Sequence, residues 1–429
     1  MSLSHVTDPG SATMKPGKTQ LWGVILLLTS LKLLFLIIRQ PGMTFYEDND
    51  IAVNFSNTGE FFLFWDGIKN HTFQFPIYPS CLALLYTIFG IHPLVAGIFH
   101  VLLNALAAFL LWDIFHFFLD SFRLPAHVTK YNNTIVFIAI FLFCLHPGIA
   151  WYALFKIHPF SMDLLMLLLP IYFTARYWKN ESMINLVLFF VSSALAVLTR
   201  ATLIVAVVPF LILYLKQKGL LRATLLTASL FLFILLACLP WMIRNYHQDD
   251  IIGMSSLGGK DIWKGSLPET EGSNYLTNGS DCYSLLSPGA VDSIHQMTVK
   301  QQNNYFLGLY YKNVTERPGL QVRLFLLKLK NFWLFRSAIG NEYGSKAQFL
   351  LPLYKVCYLF ILLLSIAALW LIGKRSLLLF IIPLLLSLEQ SLYYVETRHR
   401  LLIEPFLIFL AITGLFYIYS GWNQKKRKT

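Results

Sequence analysis

The chain has 429 residues; 56% are hydrophobic, 16% aromatic and only 13% charged. So little charge cannot cover a soluble protein of this length, which excludes that class and points to a polytopic membrane protein. The formal net charge is +12, but Lys and Arg gather in short loops and tails, a pattern that belongs to membrane topology and not to a nucleic-acid partner.

In chain order, apolar runs at roughly 20–39, 94–117, 135–153, 162–177, 183–199, 201–215, 221–240, 350–372, 377–393 and 401–419 predict about ten spanning helices. Each approaches the ~20 residues that cross the hydrocarbon. The first run is long and lacks a small-residue cleavage site, so it is expected to be an anchor and not a cleaved signal. Ten crossings place both termini on one side. Lys15 and Lys18, Arg123 and Lys130, Arg176 and Lys179, Lys216 and Lys218, Lys374 and Arg375, and the tail Lys425, Lys426, Arg427 and Lys428 make that side cytoplasmic.

The run Ile77–Gly90 is read as an amphipathic helix on the outer surface, because a spanning reading would carry Arg123 and Lys130 outside. The first outer loop then covers about 40–93 and belongs to an N-terminal transmembrane module, 1–240. A short outer loop follows at about Ala153–Ser161. A long one, 241–349, carries the turn signals Gly258-Gly259, Asn278-Gly279 and Pro288-Gly289. Near its end, Leu320–Phe335 mixes Leu, Phe and Trp with Arg323, Lys328, Lys330 and Arg336, as a helix lying in the interface would. The remaining 350–429 supplies C-terminal spans and a basic tail. No internal repeat is visible, which weighs against a transporter.

Cys144, Cys238 and Cys357 lie in apolar runs and read as small core residues; Cys81 and Cys282 fall on the proposed outer side, which leaves a bridge between them open. Lys32, near the middle of the first span, is costly in lipid and must face the bundle, where a structural pairing is the favoured role.

Chemistry concentrates in the outer loops. Tyr46, Glu47, Asp48, Asn49 and Asp50 stand in a row after the first span. A solvated acidic loop is the plain reading. The alternative is a general base for an acceptor hydroxyl, with a neighbouring acid sharing a divalent cation. Asp163, preceded by Lys156 and His158, offers a second acid at an outer helix start, where an acid also suits the dipole. Arg244, after Pro240-Trp241, and Arg398 and Arg400, in Tyr394-Val395-Glu396-Thr397-Arg398-His399-Arg400, oppose the positive-inside bias and suit a lipid phosphate, with Glu396 orienting one guanidinium. Arg200, in a tight outer turn, reads as a headgroup anchor.

Four stretches carry a resemblance. They are YEDNDIAVNFSNTGEFF at Tyr46–Phe62, FPIYPSCLALLYTIFG at Phe75–Gly90, the run Pro240–Gly272 with Pro-Trp-x-x-Arg-Asn-Tyr and Lys260-Asp261-Ile262-Trp263-Lys264-Gly265, and Glu396–Arg400. In order and spacing the chain resembles the GT-C class of integral membrane glycosyltransferases, in particular bacterial relatives of protein O-mannosyltransferases (glycosyltransferase family 39) and of the aminoarabinose transferase that modifies lipid A. The resemblance implies an all-α polytopic GT-C-like bundle whose extracytoplasmic loops carry amphipathic surface helices. It implies a polyprenyl-phosphate-linked sugar donor and a glycan, lipid or protein acceptor, in a membrane that is most often the bacterial plasma membrane. It assigns the base to Asp48, with Glu47 and Asp50 as rivals because the order here is Glu-Asp-Asn-Asp. It assigns the second acid to Asp163, and donor phosphate contacts to Arg244, Arg398, Arg400, Lys156 and Lys260. Tyr46, His158, Glu396 and Tyr394 support them, and a metal on Asp48 and Asp163 is left open. Other readings are a lipid-linked sugar flippase or transporter, and a polymerase or ligase that takes a lipid-diphosphate donor.

Overall fold

The computed structural model describes residues 17–40, 42–336 and 351–426; Lys15, Arg427, Lys428 and the loop end at 337–349 lie outside the described residues. The first helix, α1 (Lys18–Arg39), ends where Gln40 turns left-handed. The loop after it folds into α2 (Glu47–Thr58), a hairpin of β1 (Leu63–Trp65) and β2 (Ile68–Asn70), and α3 (Ile77–Phe89). The hairpin was not predicted. Its turn is Asp66-Gly67, both at positive φ, the backbone that a two-residue hairpin demands.

The apolar runs follow as helices. They are α4 (Pro93–Phe122), the short α5 (Ala126–Thr129), α6 (Asn132–Leu145), α7 (Pro147–Phe155), α8 (Phe160–Asn180), α9 (Met183–Thr199), a 3₁₀ segment (Ala201–Val207) leading into α10 (Val208–Lys218), and α11 (Leu220–Asp249). The run predicted at 135–153 is not one straight helix. Pro147 cannot donate a backbone bond, and α6 and α7 meet at 42°. Among the described residues, six helical segments are long and apolar enough to cross a membrane, or seven with this bent pair. One of the six, Leu351–Gln390, has 40 residues. That would extend about 60 Å, twice a ~30 Å hydrocarbon core. A 3₁₀ turn at Gly373–Ser376 divides it. All ten predicted runs are helical, but α9 has only 17 residues, so ten crossings do not follow from length and composition.

The long loop holds α12 (Gly258–Gly265), α13 (Pro288–His295), α14 (Val299–Glu316) and α15 (Pro318–Trp333). Two predicted turns are therefore helix starts: Gly258-Gly259 opens α12 and Pro288-Gly289 opens α13. Asn278-Gly279 is a turn as expected, with Leu276 receiving a bond to its carbonyl from Gly279. In α15, Arg323 and Lys330 stay exposed, whereas Lys328 turns inward and donates to the carbonyls of Gly265 (2.9 Å) and Tyr393 (2.7 Å). Arg336, just beyond it, is likewise buried and bonds Ser273 and the Thr270 and Tyr275 carbonyls. The chain ends with α16 (Leu351–Ile372), α17 (Leu377–Gln390), the one-turn α18 (Thr397–Arg400) and α19 (Glu404–Lys426). Cys81 and Cys282 are both free thiols, and Cys282 packs against Trp263, Leu267, Ile294 and Phe306.

Polar contacts sort by end. At one end, Lys18 pairs with Asp113, Lys218 with Glu181, and Arg375 reaches the Arg123 carbonyl. At the other stand the loops. Between them, Lys32 donates to the Cys144 carbonyl at 2.8 Å, one of the last carbonyls of α6, which have no helical partner. Arg400, expected to contact the donor phosphate, is instead 0% exposed and bonded within the protein. Its donors go to Glu404 (3.3 Å), the Leu334 carbonyl (2.5 Å) and Tyr354 (3.0 Å), and its plane lies 3.8 Å from the Tyr358 ring. Glu404 also bonds His146 at 2.5 Å beside the α6–α7 break. The network ties α7, α16, α18 and α19 together. Arg400→Met takes the guanidinium from Glu404 and leaves it only His146 and Tyr354, and loss of one partner of a buried pair costs about 3–5 kcal/mol. The expected result is a clear fall in melting temperature in detergent; an unchanged melting curve would contradict the assignment.

Candidate active site

Two loops meet by backbone pairing. Thr44 and Lys156 form a parallel bridge: Thr44 donates to the Phe155 carbonyl and accepts from Ile157, both at 2.9 Å. The stitch sets the start of α2 beside the start of α8. The acids Glu47, Asp48 and Asp50 occupy the first turn of α2, where the helix dipole favours them. Asp50 is exposed and Glu47 half-buried, while Asp48 is only 4% exposed. Next to it, Asn49 is fixed by Tyr86, whose hydroxyl donates at 2.8 Å. Burial holds the Asp48 carboxyl well above the usual carboxylate range; Glu47 and then Asp163 push it further up, and Arg200 draws it down.

Asp163, 1% exposed, receives a hydrogen bond from Arg200 at 3.0 Å on one oxygen, and its other oxygen is buried without a hydrogen bond. Arg200 is therefore more than a headgroup anchor. The signal was in the spacing: α8 leaves this end and α9 returns, so the residue after the α8–α9 hairpin comes back beside the start of α8. Arg398 also acts on Asp163. Its guanidinium pairs with Glu396 at 2.8 Å and reaches the Tyr394 hydroxyl at 3.4 Å. Asp48 is thus within electrostatic range of Asp163 and Arg200, and Asp163 of Arg200 and Arg398, which links four positions far apart in sequence.

Around this group stand His158, His399 and Lys156. Burial, with Arg398 and Arg200 nearby, keeps His158 well below its ordinary value. Burial, then Arg200 and Arg398, does the same to His399. Lys156 donates to the Tyr46 hydroxyl at 3.1 Å, and the Tyr46 ring meets His158 edge-on at 5.1 Å.

Two of the expected phosphate contacts are placed elsewhere. Arg244 donates to the carbonyls of His71 (2.6 Å) and Phe61 (2.8 Å) and stacks 4.5 Å from Trp241. Its fork is spent on tethering α11 to the first loop. Lys260 sits between the rings of Trp65 (4.3 Å) and Tyr283 (4.5 Å), where burial and the neighbouring Lys264 lower it to about 8. One turn along α12, Lys264 lies 5.2 Å from the Tyr394 ring and pairs with Asp261 at 3.4 Å. Lys264, not Lys260, is thus the long-loop cation beside Arg398's partner. Close approach permits this: a Cβ on Gly265 would fall 2.0 Å from the Tyr393 carbonyl oxygen, so only glycine lets α12 dock on the 393–395 backbone.

Among the described residues, no three His, Cys, Asp or Glu side chains form a metal-holding group. Asp163 gives one oxygen to Arg200, so a divalent cation here would have to draw most of its six or more oxygens from water and phosphate.

No family model matches the chain, and no curated protein does. Among solved structures, the chain is similar to ArnT from Cupriavidus metallidurans. The apo form has 11% sequence identity and a TM-score of 0.41, with 94% of this chain and 78% of that one covered. The form bound to undecaprenyl phosphate has 13% identity and a TM-score of 0.39, covering 92% and 78%.

The electrostatics give a signed prediction. Removing the Asp163 charge by Asp163→Asn moves the Asp48 titration to lower pH, and Arg200→Gln moves it to higher pH. Infrared difference spectra of the protonated carboxyl band, assigned with Asp48→Asn, follow both. A titration that ignores both substitutions would separate Asp48 from this group.

Proposed function

We propose that this integral membrane protein is a glycosyltransferase that moves a sugar from a polyprenyl-phosphate donor to a hydroxyl acceptor at the extracytoplasmic face. One observation carries the reading: a buried carboxylate pair, Asp48 and Asp163, shares one loop-side cluster with Arg200 and Arg398 at the end of an apolar helix bundle. A base, an orienting acid and a phosphate-matching guanidinium at lipid headgroup level suit glycosyl transfer from a lipid phosphate. The orientation follows from the basic residues gathered at the opposite end. Undecaprenyl phosphate, bound in one of the similar solved structures, belongs to the donor class that the sequence resemblance implies.

In this proposal the lipid donor enters sideways with its phosphate toward Arg398. Glu396 and Tyr394 hold the Arg398 guanidinium, so its plane is fixed before the ligand arrives. Asp48 takes the proton from the acceptor hydroxyl. The hydroxyl oxygen bonds to the anomeric carbon from the far side as the carbon–oxygen bond to phosphate breaks. The electron pair leaves on the phosphate, where cationic groups stabilise it, and the sugar inverts. The raised Asp48 pKa makes the carboxylate a stronger base toward the acceptor proton. Asp163, held by Arg200, offers its open oxygen to the donor sugar. Glu47 and Asp50, the rival bases, are less enclosed. The long loop, docked on 393–395 through Gly265 and Lys328, covers the cluster and contributes to acceptor choice.

Asp48→Asn is expected to lower sugar transfer roughly 10²–10⁴-fold with donor binding retained. Arg398→Ala is expected to weaken donor binding roughly 10–100-fold, the loss of a charged hydrogen bond. Transfer and binding are measured on purified protein in lipid nanodiscs with a polyprenyl-phosphate sugar. Full transfer by Asp48→Asn would remove it as base. Movement of the labelled lipid across the bilayer without covalent transfer would favour a flippase, and a requirement for a diphosphate donor would favour a polymerase or ligase.

A further inference from the structure

The two histidines beside the arginines have no part in the proton transfer just described, and neither is free to choose its tautomer. The Phe160 backbone N–H donates to His158 Nδ1 at 3.2 Å. The Glu396 backbone N–H donates to His399 Nδ1 at 3.2 Å. A ring nitrogen that accepts from an amide carries no proton, so in each ring the proton sits on Nε2. Protonating either ring would set an N–H against an N–H. Both rings are therefore neutral donors, and a positively charged ring is disfavoured by geometry as well as by charge. The facing groups agree: Arg200 from the turn after α9, Arg398 on the same turn as His399, and Lys156 beside His158 all oppose a further positive charge.

The second observation concerns where the donated proton goes. His399 is 5% exposed, and its Nε2 is buried without a hydrogen bond. The open oxygen of Asp163 is also buried and unpaired, and Arg200 and Arg398 act on both residues. A donor left unmet in so enclosed a place calls for an acceptor. Asp163 is already served by Arg200, and Glu396 lies against Arg398. An oxygen-rich anionic group between the two guanidiniums would meet the Nε2–H and add negative charge where cations already stand.

We infer that His399 and His158 are neutral Nε2–H donors to the phosphate oxygens of the lipid donor, completing from the imidazole side the contact that Arg398 makes from the guanidinium side. The inference rests on the glycosyltransferase reading for its ligand. Neutral donors have a use here. They recognise phosphate without adding to the fixed charge that must be released when the spent polyprenyl phosphate departs, and they do not compete with Asp48 for the acceptor proton.

The test uses full-length protein in lipid nanodiscs, with sugar-free polyprenyl phosphate as probe and native mass spectrometry for affinity. Glutamine places an amide N–H where Nε2–H stood, whereas asparagine places it near Nδ1 and falls short. His399→Asn and His158→Asn should each weaken binding roughly 3–10-fold, the worth of one neutral hydrogen bond, and His399→Gln and His158→Gln should restore most of it. Equal affinity in wild type and both asparagine variants would overturn the inference while leaving the function intact. Weakening seen only with the sugar-loaded donor would overturn it too, placing the contact on the sugar. A wild type that binds no polyprenyl phosphate at all would sink the functional reading and the inference with it. Independently of any ligand, histidine-selective ¹⁵N NMR of the wild type, assigned with the glutamine variants, should show Nε2–H tautomers for both rings from about pH 6 to pH 8. An Nδ1–H tautomer or a charged ring at His399 would contradict the geometry directly.

Discussion

Two carboxylates in one buried place repel each other, and the loop end of this bundle is organised around making that tolerable. Asp48 and Asp163 raise each other's cost of ionisation, as like charges in a poorly solvated setting must. Arg200 answers for Asp163 at 3.0 Å and eases Asp48. Arg398, steadied by Glu396 at 2.8 Å, supplies the second cation. The bridge of Thr44 to Lys156 delivers Asp48, the α8–α9 hairpin delivers Asp163 and Arg200, and the turn before α19 delivers Arg398. Asp48, Asp163, Arg200 and Arg398 are each more than thirty residues from the next, so the group exists only when the bundle has closed.

The rest of the fold maintains that closure. Arg400 and Arg244 spend their guanidiniums on backbone carbonyls and neighbouring carboxylate or amide oxygens, Arg400 joining the C-terminal helices and Arg244 tying α11 to the first loop. Lys328 and Arg336 bind the long loop from beneath. Such groups are expensive to bury unless every donor finds an acceptor, and here the acceptors are mostly carbonyls at helix ends and turns, which need donors in turn. The result is a rigid frame beneath a cluster whose own hydrogen-bonding is incomplete: one oxygen of Asp163 and one nitrogen of His399 remain unmet. Other buried atoms are unmet too, Arg336 Nε and the Asn104 amide among them, but the Asp163 oxygen and the His399 nitrogen stand beside paired cations, where an anionic, hydroxyl-bearing ligand would satisfy them.

Much of this was legible in the chain. Hydrophobic runs located the long apolar helices, because a bilayer demands about twenty apolar residues and leaves little freedom, but not the polar α14 of the long loop. The helices at 77–89 and up to Trp333 were also readable as helices, and Asp48 and Asp163 as candidate acids because charge at a bundle mouth is conspicuous, though their burial was not. The arginines were not. Sequence shows that Arg244, Arg398 and Arg400 face the loop side, but which of them meets carbonyls and which a carboxylate depends on contacts over hundreds of residues. Arg200 was undervalued for the same reason. Nor does sequence show which ring nitrogen of a histidine a backbone amide will claim. Gly258-Gly259 and Pro288-Gly289 misled because glycine and proline punctuate turns and helix starts alike.

The central claim is that a lipid phosphate and the two buried acids share one pocket. The most direct measurement is a cryo-electron microscopy map of the protein in nanodiscs with a polyprenyl-phosphate sugar bound to the Asp48→Asn variant. The account predicts phosphate density within hydrogen-bonding distance of Arg398, with the anomeric carbon turned toward residue 48. Phosphate density elsewhere, for example along Arg323 and Lys330 on α15, with nothing between residue 48 and Arg398, would contradict it.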